Sequence, residues 1–319
     1  MFCNSEEWSA LSKRLPTVYN GAGLGDRSMN VRGALLLLTI LAAGFWIRTL
    51  PSAKDGSALA KWWPWERSPV VTLYFSDGAH LFPVSRRIPA THDLPHAALQ
   101  ALLDGPPPGS GLKRPIPQGA RIRSVAVSHG IARVDLSETA PGSAAEAEAA
   151  YAAMVYTMTR LPGVTSVAVT VDGKAVIAEA RRMPLLYYAS PNGLVGVPSG
   201  ANSPRESIAK YMAGPADPTV TGVPHDVRLV NYAYDAAAGL VSLDFSYTES
   251  VRTLALEKPH IMRSVLLGIV ASLTEIPGVQ AVRIDFEGHS RLGLGECSDL
   301  LRTPQPRPQL LNDERLLGA

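Results

Sequence analysis

The stretch Thr159-Arg160-Leu161-Pro162-Gly163-Val164 recurs as Thr274-Glu275-Ile276-Pro277-Gly278-Val279, 115 residues later. Each copy is followed by an alternating run that closes on glycine, TSVAVTVDG at Gly173 and QAVRIDFEG at Gly288. Upstream, Val134-Asp135-Leu136-Ser137 answers to Leu243-Asp244-Phe245-Ser246, Gly105-Pro106 to Gly214-Pro215, and Leu73-Tyr74-Phe75 to Leu186-Tyr187-Tyr188. These correspondences keep one order at a nearly constant offset, which is the signature of an internal duplication. The body therefore reads as two copies of one module, over 69–180 and 183–290. The junction from Ala180 to Met183 is so short that the copies are expected to touch.

The pattern inside each copy predicts a β-α-β-β-α-β order. In the first, Val70–Phe75 is apolar and β-branched. A helix is expected from Leu94, with Ala98, Leu99, Leu102 and Leu103 on one face, ending at Gly105-Pro106. Arg121–Val127 and Ile131–Leu136 read as strands joined by a turn at Ser128-His129-Gly130. Ser143 with Glu146 is a capping-box pattern, and Tyr151, Met154, Val155, Met158 and Leu161 recur at helical spacing. Val164–Val171 is the last long strand, and Asp172-Gly173 turns into a short one over Ala175–Ala178. In the second copy, Ser203-Pro204-Arg205-Glu206 opens a helix with Pro at its first position. Ile261, Val265, Leu266, Ile269, Val270 and Leu273 line the other helix. The fold class is thus α+β: two tandem modules, each with helices on one face of a small mixed sheet. Residues 291–319 read as a tail, non-helical after Thr303 because Pro304, Pro306 and Pro308 alternate.

The front end differs in character. Gly33–Ile47 holds no charge, with Arg32 before it and Arg48 after it. Its length covers only part of a ~30 Å hydrocarbon layer. Snorkelling arginines and an interfacial Trp46 let it serve as a membrane anchor; a cleaved secretory signal is the alternative. Segment 31–48 is taken as that anchor or signal and 49–68 as a linker carrying Trp62, Trp63 and Trp65. Those tryptophans suit either the headgroup layer or packing on the first module. Met29 is a second candidate start, which would set residues 1–30 apart as a start-site artefact. An exported body leaves Cys3 and Cys297 on opposite sides of the membrane, so Cys297 is expected to be a free thiol.

Composition narrows the function classes. With 319 residues, 46% hydrophobic and 18% charged, the chain has the makings of a folded core and exceeds one ordinary domain. A net charge of +2 is too small for the basic face that nucleic acid requires. Two cysteines exclude a disulfide scaffold and a cysteine zinc cluster.

These landmarks resemble the GerMN domain family of sporulation and spore-germination modules. The residues that carry the likeness are Leu73-Tyr74-Phe75, Leu103-Asp104-Gly105-Pro106, Ile116-Pro117-Gln118-Gly119, Val134-Asp135-Leu136-Ser137 and Thr157 to Val164. The second copy departs further, with Val223-Pro224-His225-Asp226 and Ser272-Leu273-Thr274. The resemblance implies a non-enzymatic, extracytoplasmic role in spore-envelope assembly or in a channel between mother cell and forespore. It implies other envelope or sporulation proteins as partners. Lipid-anchored members carry a cysteine after the apolar run; this chain has none there, so the resemblance implies anchoring through residues 33–47 instead.

The residues that both copies retain build strands and turns. Asp135, Ser137, Asp244 and Ser246 are expected to cap turns through their side-chain oxygens. His92 and His96 have a metal-like spacing but Pro95 lies between them and no cysteine or glutamate is near, so no metal, cofactor or catalytic set is assigned. One feature belongs to the first copy alone: Arg86, Arg87, Lys113, Arg114, Arg121 and Arg123 form a basic set suited to an anionic partner. The leading function is an assembly protein acting by protein contact; the alternative is a cell-wall module for peptidoglycan or an anionic polymer, and a hydrolase ranks last.

Overall fold

The computed structural model describes residues 68–137, 143–290 and 292–318. The apolar run at 33–47, the tryptophans and Cys3 lie outside them. Among the described residues no helix is long and apolar enough to cross a membrane. Glu66–Ala319 forms one compact unit.

The first module begins with a hairpin, β1 (Val70–Ser76) and β2 (Leu81–Arg87), followed by α1 (Leu94–Asp104). Then come β3 (Ile122–Ser128), β4 (Ile131–Leu136), α2 (Ala144–Met158), β5 (Ser166–Val171) and β6 (Lys174–Ala180). The second repeats the plan: β7 (Leu185–Ser190), β8 (Gly193–Pro198), α3 (Pro204–Met212), β9 (Leu229–Asp235) and β10 (Leu240–Phe245). It continues with α4 (Glu249–Glu257), α5 (Pro259–Leu273) and β11 (Ala281–Phe286). The last residues add α6 (Ser298–Arg302) and β12 (Gln305–Pro306).

Local chemistry explains most boundaries. Asp93 accepts from the His96 N–H at 3.1 Å to start α1, and Gly105, at φ +92°, ends it. Ser143 and Ser203 accept from the N–H groups of Glu146 and Glu206, each at 3.2 Å. His129-Gly130, Asp172-Gly173 and Glu287-Gly288 all have positive φ at both residues, the geometry of the tight hairpin turn.

Two four-stranded sheets, β3-β4-β5-β6 and β12-β11-β10-β9, have the same design. In each the central pair is parallel, β4 with β5 and β10 with β11, and the outer pairs are antiparallel. Val134, Leu136, Val167 and Val169 are buried on the face that meets α2, while Arg133 is exposed on the other.

The β-α-β-β-α-β expectation needs correction at its first step. The opening strand of each module does not join the module's own sheet. It folds back on a partner strand, and the two hairpins merge into a third sheet, β1-β2-β8-β7, that spans both modules. The physical cause lies at the outer strands. The Tyr74 N–H donates to Thr157 Oγ1 on α2 at 3.0 Å, and the Tyr187 N–H to Ser272 Oγ on α5 at 2.8 Å. Helix hydroxyls thus occupy the positions a further strand would need. α5 lies so close to β7 that a Cβ on Gly268 would collide with the Tyr187 carbonyl.

Residues 292–318 do not run free as a tail. β12 pairs with β11 at Ala281 and Val282, and Leu300, Leu301 and Leu311 are buried. Cys297 is fully buried, with Sγ 3.5 Å from the Pro259 carbonyl, and burial pushes its thiol pKa up. We therefore expect Cys297 to resist thiol reagents in the folded protein and to react once it is denatured. Reaction at full rate under native conditions would contradict this packing.

Candidate functional site

The shared aspartates and serines serve the ladder. Asp135 Oδ1 accepts from Thr170 Oγ1 at 2.5 Å and from the Gly173 N–H at 3.1 Å. The turn it caps therefore follows the neighbouring parallel strand β5 rather than its own. Asp244 Oδ1 does the same for the Gly288 N–H at 2.9 Å. Ser137 Oγ accepts from the Arg121 N–H and Ser246 Oγ from the Arg228 N–H, both at 2.9 Å. The Thr170 hydroxyl, and then the Gly173 N–H, hold the Asp135 carboxyl below its ordinary pKa. Its contribution to stability is accordingly present at neutral pH and fades as acid protonates it.

One position breaks this symmetry. Where Thr170 stands beside Asp135, the second module places Asp285 beside Asp244. Two carboxylates then face each other, and Asp285 Oδ1 is buried without a hydrogen-bond partner. Burial, with Asp244 adding to it and Arg283 opposing, raises the Asp285 pKa. A raised carboxyl pKa lowers stability at neutral pH and not in strong acid. Asp285→Thr should therefore stabilise the body by about 0.5–1 kcal/mol at pH 7. That gain should shrink below about pH 4. Thermal melts across pH check this, and a destabilised Asp285→Thr protein would contradict it.

The basic set does not form one patch. Arg86 donates to the Ala101 carbonyl at 2.7 Å and the Gly105 carbonyl at 2.8 Å, and pairs with Glu314 at 2.7 Å. Arg114 donates to the Leu103 carbonyl, and to the Asp104 carbonyl at 2.7 Å. Both guanidiniums thus neutralise the negative C-terminal end of α1. Lys113 pairs through its backbone with Ser76, its N–H donating to the Ser76 carbonyl at 2.7 Å. Arg87 is exposed at the end of β2. Arg121 and Arg123 lie together at β3, both exposed, with Arg123 paired to Asp172. His92 and His96 are exposed at the start of α1. Among the described residues no group of three or more His, Cys, Asp or Glu side chains is arranged to hold a metal.

The densest polar site lies between the modules. The Glu275 side chain is fully buried and meets three guanidiniums: Arg160, Arg182 at 3.4 Å and Arg307 at 3.0 Å. Tyr187 donates its hydroxyl to Glu275 Oε1 at 2.8 Å, and the Tyr74 and Tyr187 hydroxyls are 2.8 Å apart. Burial pushes both tyrosines up. At Tyr74 this wins, with Tyr187 adding to it; at Tyr187 the Arg160 and Arg307 charges prevail and hold the hydroxyl below its ordinary pKa. The surplus positive charge is offset by helix ends, because Arg182 also donates to the Thr159 carbonyl at 2.7 Å and Arg307 to the Ala271 carbonyl at 3.0 Å. Arg160 with Glu275, and Tyr74 with Tyr187, occupy equivalent positions in the two copies. The seam is thus built where the duplication meets itself. The signal in the sequence was the inversion of charge at one repeated position.

A second contact closes the same seam. β2 and β8 are paired only at Leu81 and Gly196. Asn312 then enters beside them, donating Nδ2 to the carbonyls of Pro83 (2.6 Å) and Leu194 (2.9 Å) and accepting from the Leu194 N–H at 2.8 Å. Its own carbonyl accepts from the Ser85 N–H at 2.7 Å.

A concavity of about 730 Å³ belongs to the second module. Its walls are the loop 215–225 and α4. The first module has nine residues from Asp135 to Ser143 where the second has fifteen from Asp244 to Lys258, so α4 is an addition peculiar to the second copy.

The Germane family, described as sporulation and spore germination, matches residues 72–177 and 185–291. Among solved structures, the chain is similar to the tandem GerMN domains of the sporulation protein GerM from Bacillus subtilis. That match has 19% identity, a TM-score of 0.60, and covers 76% of this chain and 99% of that one. The first GerMN domain of the same protein matches at 16% identity and a TM-score of 0.30, covering 34% of this chain and 86% of that one. No curated protein matches. At these identities the structural likeness speaks for the fold, while the two family matches together span most of the body. The chain belongs to the Germane family of sporulation and spore germination.

Proposed function

We propose that this protein is a non-enzymatic assembly protein. It is held to the membrane by residues 33–47 and presents its paired modules outside the membrane to envelope or sporulation proteins. The observation that carries this reading is the seam. Glu275, its three arginines and Asn312 join two copies of one module into a single body, a design suited to holding two surfaces in fixed relation. The residues the copies share, Asp135 with Asp244 and Ser137 with Ser246, are engaged in turns and ladders. The one hydroxyl beside a shared carboxylate, Thr170 on Asp135, belongs to the first copy alone, and the same Asp135 oxygen also caps the Gly173 turn, the part of a structural residue. Of the exposed members of the basic set not bound to the end of α1, Arg87, Lys113, Arg121 and Arg123, the last two stand two residues apart at the start of β3 and are the pair we assign to an anionic partner face, Arg123 giving up its pairing with Asp172 there.

The test is complementation of a deletion strain, scored by spore formation. Asp135→Asn and Asp244→Asn should complement wherever they fold. Arg121→Glu with Arg123→Glu should melt within a few degrees of the parent yet fail to complement, because exposed charges contribute little to stability and much to partner choice. A fully folded Asp→Asn protein that fails to complement would return a chemical role to the site.

A further inference from the structure

The concavity of the second module has the character of a docking groove. One wall is the loop from Pro215 to His225, with three prolines that hold an extended course and Val220 and Val223 in the lining. The other wall is α4, whose Thr248 cap accepts from the Val251 N–H at 3.4 Å and which contributes Thr253 and Leu254. The lining carries three carboxylates, Asp217, Glu249 and Glu257, against one ammonium, Lys258. Asp217 is partly engaged by His80 at 3.3 Å and Glu249 by Arg252 at 2.8 Å, while Glu257 is exposed at the end of the helix.

The charge of the whole module points the same way. Residues 183–290 hold 7 basic and 10 acidic side chains, a net of −3, where residues 69–182 hold 11 and 9, a net of +2. An apolar trough with an acidic rim suits a chain that alternates apolar side chains with Lys or Arg. The groove is made by a helix that the first module has no room for, so this surface distinguishes one end of the molecule from the other.

We propose that the groove between α4 and the 215–225 loop binds an extended basic peptide segment of a partner protein. The inference rests on the assembly reading and names the chemistry of one contact within it. Basic side chains of the segment lie against Glu257 and Glu249, and its apolar side chains lie against Val220, Val223 and Leu254.

The probe is a labelled peptide alternating lysine with valine, with a glutamate–valine peptide as its counterpart. Anisotropy is measured on residues 66–319, the compact unit that encloses its own core. The lysine peptide should bind and the glutamate peptide should not. Raising salt from about 0.05 to about 0.5 M should weaken binding at least about tenfold. Glu257→Lys should cost about tenfold in affinity. Its new charge suits a helix C-terminus, so the fold is expected to survive. Thr253→Trp, which fills the trough, should abolish binding. No binding at low salt, equal binding of both peptides, or Glu257→Lys binding like the parent would each overturn the proposal. If the peptides fail while Arg121→Glu with Arg123→Glu still blocks complementation, the groove is discarded and the assembly reading stands.

Discussion

Replacing Glu275 by glutamine should destabilise the body by about 3–5 kcal/mol, the usual cost of removing one partner from a buried ionic cluster. The side chain is fully buried and three guanidiniums converge on it. Glutamine keeps the shape and one carbonyl acceptor but leaves Arg160, Arg182 and Arg307 facing one another without a counter-charge. The loss is a large part of the ~5–15 kcal/mol that holds an ordinary domain. It should appear as a lower denaturation midpoint and as modules that no longer melt together. Because Arg160 and Glu275 occupy equivalent positions in the two copies, the exchange Arg160→Glu with Glu275→Arg reverses the pair in place and should recover part of the loss. A Glu275→Gln protein as stable as the parent would show that the cluster is incidental to the seam.

Asn312→Ala should cost about 3 kcal/mol through a different mechanism. The side chain makes three buried hydrogen bonds, two to carbonyls and one from a backbone N–H, on strands from both modules. Alanine leaves all three groups buried without a partner, at about 1–3 kcal/mol each before local relaxation. Asn312→Asp should not rescue it, since a carboxylate would face the Pro83 and Leu194 carbonyls. Chemical denaturation of residues 66–319 reads the effect through tyrosine, because all the tryptophans precede residue 66. A loss below about 1 kcal/mol would mean that the β2–β8 pairing holds without the C-terminal segment.

The repeat, the caps at Ser143 and Ser203, and the turns at His129-Gly130 and Asp172-Gly173 were legible because each rests on neighbouring residues. β2 and β8 were not. Pro83 cannot donate to a ladder, and Gly193, Gly196 and Pro198 read as loop until a partner strand and Asn312 are in place. α4 escaped notice because only Val251 and Ala255 of its side chains are buried, and its cap Thr248 is followed three residues on by Val251 in place of the glutamate that marks α3. The 291–319 segment carries three alternating prolines and looks unanchored, yet Asn312 and Arg307 bind residues more than 30 positions upstream. The basic set shows the opposite limit. Its spacing is visible in sequence, but Arg86 and Arg114 are directed to the carbonyls at the end of α1 by tertiary packing alone.

Two copies of one module, joined through Glu275 and Asn312, should unfold as a single cooperative body. Scanning calorimetry of residues 66–319 tests it most directly. One transition, with the calorimetric enthalpy equal to the van't Hoff enthalpy, is the predicted result. Two separable transitions in the unmodified protein would contradict it.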